Sequence, residues 1–422
     1  MKTLSVMISL LGLLVSLSLS AQNREKSIKE IDFNTFNELV LNNNFEYLIE
    51  KFEVSVAEAA YTASRVFEDP ELEIILPRFV DDEFSDMPLN IEFEMEIPIE
   101  LFGKRKNRIR QARAEKYAAK ADLEGFLFEL RRDIASLFVT VIGHQMVIDR
   151  MKADLEELNR LVEINMALFE AGEIGEIELL QTRIEARNFE AELFDELGEM
   201  AEMMSEVYFL LGGIPEEQIV FTGNLENLSE TRSFDELREN ALRHSDAIIA
   251  SRFTEEAAMY NMRLARSESF PDIALIAGYH NEEAITPSPR FRYSFVGVRI
   301  PIQFSGLNRG EYLQGVYEYE QSKLATEQTV FSVENELKRA WESYQVMLSK
   351  RLLFSEEILA DSERVREAVL FSYQRGEASL LELIEAQRAS NETFMNYYNT
   401  LADYNLSVID LSRASYLILF DF

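Results

Sequence analysis

Residues 90–101 read NIEFEMEIPIEL. Ile91, Phe93, Met95, Ile97 and Ile99 fall on one side of the alternation, and Glu92, Glu94, Glu96 and Glu100 on the other. Successive side chains of a strand face opposite ways, so the stretch predicts a strand with one apolar and one anionic face. The preceding segment, about 70–77, agrees: Leu72, Ile74 and Leu76 oppose Glu71 and Glu73. Pro70 opens it at a position where a missing N–H does least harm. For one isolated hairpin the ordinary reading is a soluble one, its apolar face on a protein core and its glutamates in water.

The hairpin recurs. Ile97-Pro-Ile99 matches Ile300-Pro-Ile302, and Gly103 matches Gly306, at an offset of 203. Leu41-Asn-Asn-Asn-Phe lines up with Leu242-Arg-His-Ser-Asp at 201, as do Arg65 with Arg266 and Pro70 with Pro271. Phe169-Glu-Ala-Gly-Glu173 matches Tyr373-Gln-Arg-Gly-Glu377 at 204. Ordered offsets that drift this little describe an internal duplication. The boundary falls in the breaker-rich Gly212–Gly223 stretch, giving copies over 22–215 and 216–422. Each copy predicts a short helix, a medium helix, two strands, then two long helices joined by a tight turn at Gly172 or Gly376. The second-copy strands fall at about 271–280 and 292–304. Their apolar faces are Ile273, Leu275, Ala277 and Tyr279, then Val296, Val298, Ile300 and Ile302.

The long helices are expected over about 104–169, 175–210, 309–373 and 378–418. No proline interrupts Lys104 to Phe169, a helix of about 100 Å at ~1.5 Å per residue. Leu130, Ile134, Leu137, Val141, His144, Ile148, Met151, Leu155, Leu158, Val162, Asn165 and Phe169 keep heptad steps of four and three, the mark of a coiled coil. His144 and Asn165 read as polar residues that set register in that seam.

Lys2, an apolar run from Leu4 to Leu19 and the small residues Ser18–Ala21 describe a signal peptide over residues 1–21. With no cysteine in the chain there is no lipid anchor on a Cys, no disulfide and no thiolate metal site. The formal charge of −33, from 75 acidic and 42 basic residues, argues against a nucleic-acid partner. No later segment reaches 18 consecutive apolar residues, so a membrane crossing falls to strands closed into a barrel. Four strands cannot close around an open interior, so several protomers must contribute.

Taken together, the duplicated plan, the Ile-Pro-Ile strand ends entering Gly103 and Gly306, and the two glycine-centred tips resemble the TolC-like outer membrane efflux proteins. The resemblance covers almost the whole mature chain. It implies a mainly α protein with a small transmembrane β part: a homotrimer with four strands per protomer in a twelve-stranded barrel above a periplasmic α-helical tunnel. Such ducts sit in the outer membrane, in contact with its lipid, and extend into the periplasm of a Gram-negative-type cell. They work with a periplasmic adaptor (a membrane fusion protein) and an inner-membrane pump or ABC transporter, and need no catalytic residue, cofactor or resident metal. Family members place acidic residues six and nine positions after the second-tip glycine, around the periplasmic entrance. Here those are Glu382 and Glu385, against Glu178 and Gln181 in the first copy. Adaptor docking falls at Gly172, Gly175, Gly376 and Ser379, with Gly175 standing where a small hydroxyl residue is common. The barrel lumen falls to Glu71, Glu73, Glu92, Glu94 and Glu96, with Arg299 as counter-charge.

Other readings compete. Lys104-Arg-Lys-Asn-Arg108-Ile-Arg110 suits either anionic headgroups or structural packing. Met200, Met203 and Met204 at helical spacing read as core filler before a copper path. The chain has no glycine-rich phosphate loop, no H-E-x-x-H and three separated histidines, which leaves an enzyme without machinery. A soluble periplasmic adaptor or scaffold is the rival from another class.

Overall fold

The computed structural model describes residues 28–76, 91–215, 217–227, 232–282, 291–302, 309–354 and 356–420. The expected signal peptide, Gly306, and the expected strand positions Pro77, Asn90 and 303–304 lie outside the described residues. Strands are β1 (Ile28–Ile31), β2 (Glu71–Ile75), β3 (Glu92–Ile99), β4 (Gln218–Phe221), β5 (Ile273–Glu282) and β6 (Phe291–Arg299). Helices are α1 (Phe33–Asn43), α2 (Phe45–Ala63), α3 (Lys104–Glu170), α4 (Glu176–Leu210), α5 (Phe234–His244), α6 (Asp246–Glu268), α7 (Arg309–Leu353), α8 (Glu356–Gln374) and α9 (Leu380–Ser415). The order short helix, medium helix, two strands, long helices thus occurs twice.

The two copies interlock. One antiparallel sheet runs β2-β3-β5-β6, so β3 of the first copy pairs with β5 of the second. Below it α3 packs against α2 and α4 of its own copy and α6 and α9 of the other. A second, parallel pair joins β1 to β4, with Ile31 opposite Phe221. It ties the start of the first copy to the connector between copies. Ile31, Ile219 and Phe221 are buried there with Phe36 and Val40 of α1 and Ile134 and Phe138 of α3.

The α3 seam is buried from Leu130 to Asn165, with His144, Leu155 and Val162 half-buried, while Phe169 at its lower end is 39% exposed. Val147, Ile148, Met151 and Leu158 meet Ala186, Phe189 and Leu193 of α4, as knobs-into-holes packing requires. Asn165 is fully buried and satisfied: its Nδ2 donates to Thr182 Oγ1 at 2.7 Å, and Tyr373 Oη donates to its Oδ1 at 2.9 Å.

One expected helix differs. The span of about 309–373 is two helices, α7 and α8, with a bend at Phe354. Neither Pro nor Gly stands in Lys350-Arg-Leu-Leu-Phe-Ser-Glu356 to mark it. Arg351, just before the bend, donates to the carbonyls of Glu226 and Asn227 and lies over the Tyr404 ring. The connector between copies therefore laps the place where the helix ends.

Candidate functional site

The register divides the four-stranded sheet into two faces. Leu72, Ile74, Phe93, Met95, Ile97, Leu275 and Val298 share one face and are 41–61% exposed, while Val296 on the same face reaches 85%. Among the described residues no protein core covers them, which speaks against the soluble-hairpin reading. Glu71, Glu73, Glu92, Glu94 and Glu96 share the other face, Glu92, Glu94 and Glu96 half-buried and Glu71 and Glu73 exposed. Arg299 of β6 reaches across β5 to pair with both Glu94 and Glu96 of β3. Gly278 lies beneath, on β5 opposite Glu94, where an added Cβ would meet Phe295 at 2.5 Å. His280 Nδ1 lies 3.0 Å from Glu92 Oε1 on this face. Glu100, at the strand's end, instead pairs with Arg108, its side chain 7% exposed.

The sheet enters α3 through a left-handed turn at Phe102 (φ 55) and Gly103 (φ 80). A long helix starting with Lys104 meets the positive end of its own dipole, and its first turn carries no acidic residue. Asp272 supplies the missing charge: it takes Lys104 Nζ at 2.6 Å and the Leu101 amide at 3.0 Å. Arg105 donates to the Arg65 carbonyl and covers Phe67, while Arg110 lies over Tyr260. Lys104, Arg105 and Arg110 of the basic cluster are thus engaged in contacts within the chain, while Lys106 is exposed.

At the far end the helices that lead into and out of the two turns are joined. Asn165 of α3, Thr182 of α4 and Tyr373 of α8 form one buried hydrogen-bonded set, and Leu161, Tyr373, Leu380 and Leu383 pack beside it. Gly172 and Gly376 adopt φ of 77° and 73°, each with open space around it. Ser379 caps α9, with Glu382 N donating to its Oγ at 3.3 Å, while the Ser379 amide donates to Glu382 Oε2 at 2.7 Å. This capping box holds the Glu382 carboxyl below its usual range, the Ser379 amide being the main cause. Glu382 thus turns back on its own helix, while Glu385 is exposed without a described partner. In the first copy Gly175 begins α4 with no side-chain cap, Glu178 is half-buried near Tyr373, and Gln181 is exposed.

An ion-pair network above the tips has no signal in the sequence. Arg366 of α8 is 5% exposed and pairs with Glu157 of α3 and Glu363. Arg150 bonds Asp154 Oδ2 at 3.0 Å and Glu363 Oε2 at 3.5 Å. Burial raises the Asp154 carboxyl against the pull of Arg150, and Arg366 lowers Glu363.

A family model described as outer membrane efflux protein matches residues 85–213 and 237–415. The chain belongs to that family. It is similar to the cobalt-zinc-cadmium resistance protein CzcC of Cupriavidus metallidurans, 23% identical over 375 residues, 89% of this chain and 87% of that one. It is also similar to the outer membrane protein TolC of Vibrio cholerae, 23% identical over 317 residues and 71% of each chain. Among solved structures, the CmeC outer membrane channel of Campylobacter jejuni superposes with a TM-score of 0.75 at 16% identity, covering 91% of this chain and 85% of that one. The efflux protein is therefore an outer-membrane exit duct of an efflux or secretion system, reaching into the periplasm, and not an enzyme. Its fold is that of the family's trimeric channels, a barrel above a helical tunnel, of which one protomer supplies an open four-stranded sheet. Relatives in the family act with adaptor and pump partners. The most apolar window of α3, long enough for a span, is 56% buried among neighbouring helices.

Proposed function

We propose that three copies close a duct whose barrel lumen and periplasmic entrance both favour cations, within a tripartite exporter. The carrying observation is the two-faced sheet: an uncovered apolar face suited to lipid, opposite five glutamates countered by Arg299. Rings of carboxylates raise the local cation concentration and repel anions, as in other acidic pores. At the entrance Glu385 is the carboxylate free to meet a passing ion, because the Glu382 carboxylate, although still ionised, is turned back onto its cap. Glu178 adds to it from the first copy, with Gln181 a neutral neighbour. Adaptor hairpins would seat on the turns around Gly172, Gly175, Gly376 and Ser379. The relative CzcC is named for cobalt, zinc and cadmium resistance, so divalent cations are the cargo class this reading favours.

Planar-bilayer recordings test it. Replacing Glu94 and Glu96 with Gln should shift the reversal potential in a salt gradient toward anions. Glu385→Gln should reduce cation selectivity more than Glu382→Gln. Unchanged selectivity in both experiments would refute the cation-favouring duct.

A further inference from the structure

The first hairpin carries a constellation for which packing alone gives no account. His144 of α3 faces Glu196 and Glu199 of α4, and the candidate ligand atoms of all three lie within 4.8 Å of one another. His144 Nδ1 and Glu196 Oε2 are 3.1 Å apart. Metal bonds of about 2.0–2.2 Å in tetrahedral geometry place neighbouring ligand atoms about 3.3–3.6 Å apart, close to that separation. His144 and Glu196 are half-buried and Glu199 is exposed, which leaves the remaining coordination positions open to water. Among the described residues neither glutamate is paired with a lysine or arginine.

The internal duplication supplies a control. At offsets of 203 and 204, His144 corresponds to Met347 or Leu348, both packed in the second-copy core. Glu196 corresponds to Thr400, which is buried and bonds the Asn396 carbonyl of its own helix. Glu199 corresponds to Asp403, which already holds Lys350 at 3.1 Å. The hairpin architecture thus closes in the second copy without an imidazole and two free carboxylates. In the first copy the same positions present one nitrogen and two oxygen ligands, a donor set suited to a borderline divalent ion.

We propose that His144, Glu196 and Glu199 bind one divalent transition-metal cation, Zn²⁺ or Co²⁺, and so clamp α3 to α4 midway along the first hairpin. The site stands apart from the barrel lumen and the tips, and its proposed role does not depend on what the duct carries.

Equilibrium dialysis of the detergent-solubilised full-length protein with ZnCl₂ tests the site. The wild-type protein should bind one ion per protomer that His144→Gln and Glu199→Gln each weaken. Loss of a mere outer-shell partner costs about 10–100-fold in affinity, so loss of a ligand should cost at least that. Glu163→Gln, on an exposed turn of α3 away from the site, should leave binding intact and controls for diffuse attraction to an acidic surface. Co²⁺ should show the visible absorption of a low-coordinate site in wild type and lose it in His144→Gln. No saturable binding to the wild-type protein, or binding that survives the double substitution His144→Gln with Glu199→Gln, overturns the proposal. These results are independent of bilayer selectivity, so the site and the cation-favouring duct fail separately.

Discussion

The turn at Gly172 and the turn at Gly376 share a backbone and differ in the helices they launch. In both, the glycine amide reaches back three residues (to Phe169 and Tyr373, each 2.9 Å) and the next amide reaches back five (to Leu168 and Ser372, each 2.9 Å). Beyond that point the first copy begins α4 on an uncapped Gly175, while the second begins α9 on a complete Ser379–Glu382 box. The arms above differ as well. α3 runs unbroken for 67 residues, but α8 has 19 and is cut off from α7 at Phe354. What α8 lacks in continuity is supplied sideways, by Arg366 and Tyr373 bonding to α3. Duplication has thus kept the backbone where a left-handed residue is required, while caps, charges and helix continuity have diverged. The second hairpin is segmented and held by polar contacts; the first is a single packed rod.

The contact between the hairpins is the place to break this comparison most severely. Asn165→Ala strands the buried Tyr373 hydroxyl and removes a bond from Thr182, at a cost of about 2–4 kcal/mol. Hydrogen exchange should show the opening of both tips speeding up together; acceleration at one tip alone would mean they are not coupled. Next in size, Gly172→Ala and Gly376→Ala each force an L-residue into the left-handed region at about 1–2 kcal/mol. Equal losses in local opening energy are expected, and a marked inequality would contradict the shared backbone. Smallest is the cap: Ser379→Ala should cost about 1 kcal/mol, whereas Gly175→Ser should gain a few tenths. The cap also carries a pH signature. Because the Glu382 carboxyl is depressed in the folded state, its contribution is present above the ordinary glutamate range and lost as pH falls through the folded value. Exchange at the second tip, corrected for intrinsic rates, should therefore quicken in acid more than at the first, and Ser379→Ala should abolish the difference.

Much of this was legible from period alone. The alternation through Glu92–Ile99 fixed both strand and faces, because a one-residue slip would have put every glutamate among the apolar residues. The α3 seam was legible for the same reason, its spacing sustained over many turns. Four features escaped. The β1–β4 pair joins a four-residue strand at the start of the first copy to another in the connector between copies, and so short a segment carries no periodic signal. The Phe354 bend lacks a breaker residue and lies where Arg351 binds the connector, a long-range contact that no local pattern encodes. Glu382 was read from the sequence as an entrance carboxylate, whereas the structure turns its oxygens back onto the Ser379 cap. The ion pairs of Arg366 span α3 and α8, a juxtaposition no local pattern encodes.

The sheet of one protomer ends at β2 on one side and β6 on the other, and among the described residues no further strand pairs with either edge. In hydrocarbon an open edge leaves a row of amides and carbonyls with nothing to bond, which costs several kcal/mol for each group. A lone protomer is therefore barred from the bilayer, and edges must meet across three chains before or during entry. Substitutions that weaken association should then be seen as missing outer-membrane protein, degraded in transit, and not as leaky pores. Biogenesis is in this way its own inspection step, because a sheet left open cannot stay in the hydrocarbon.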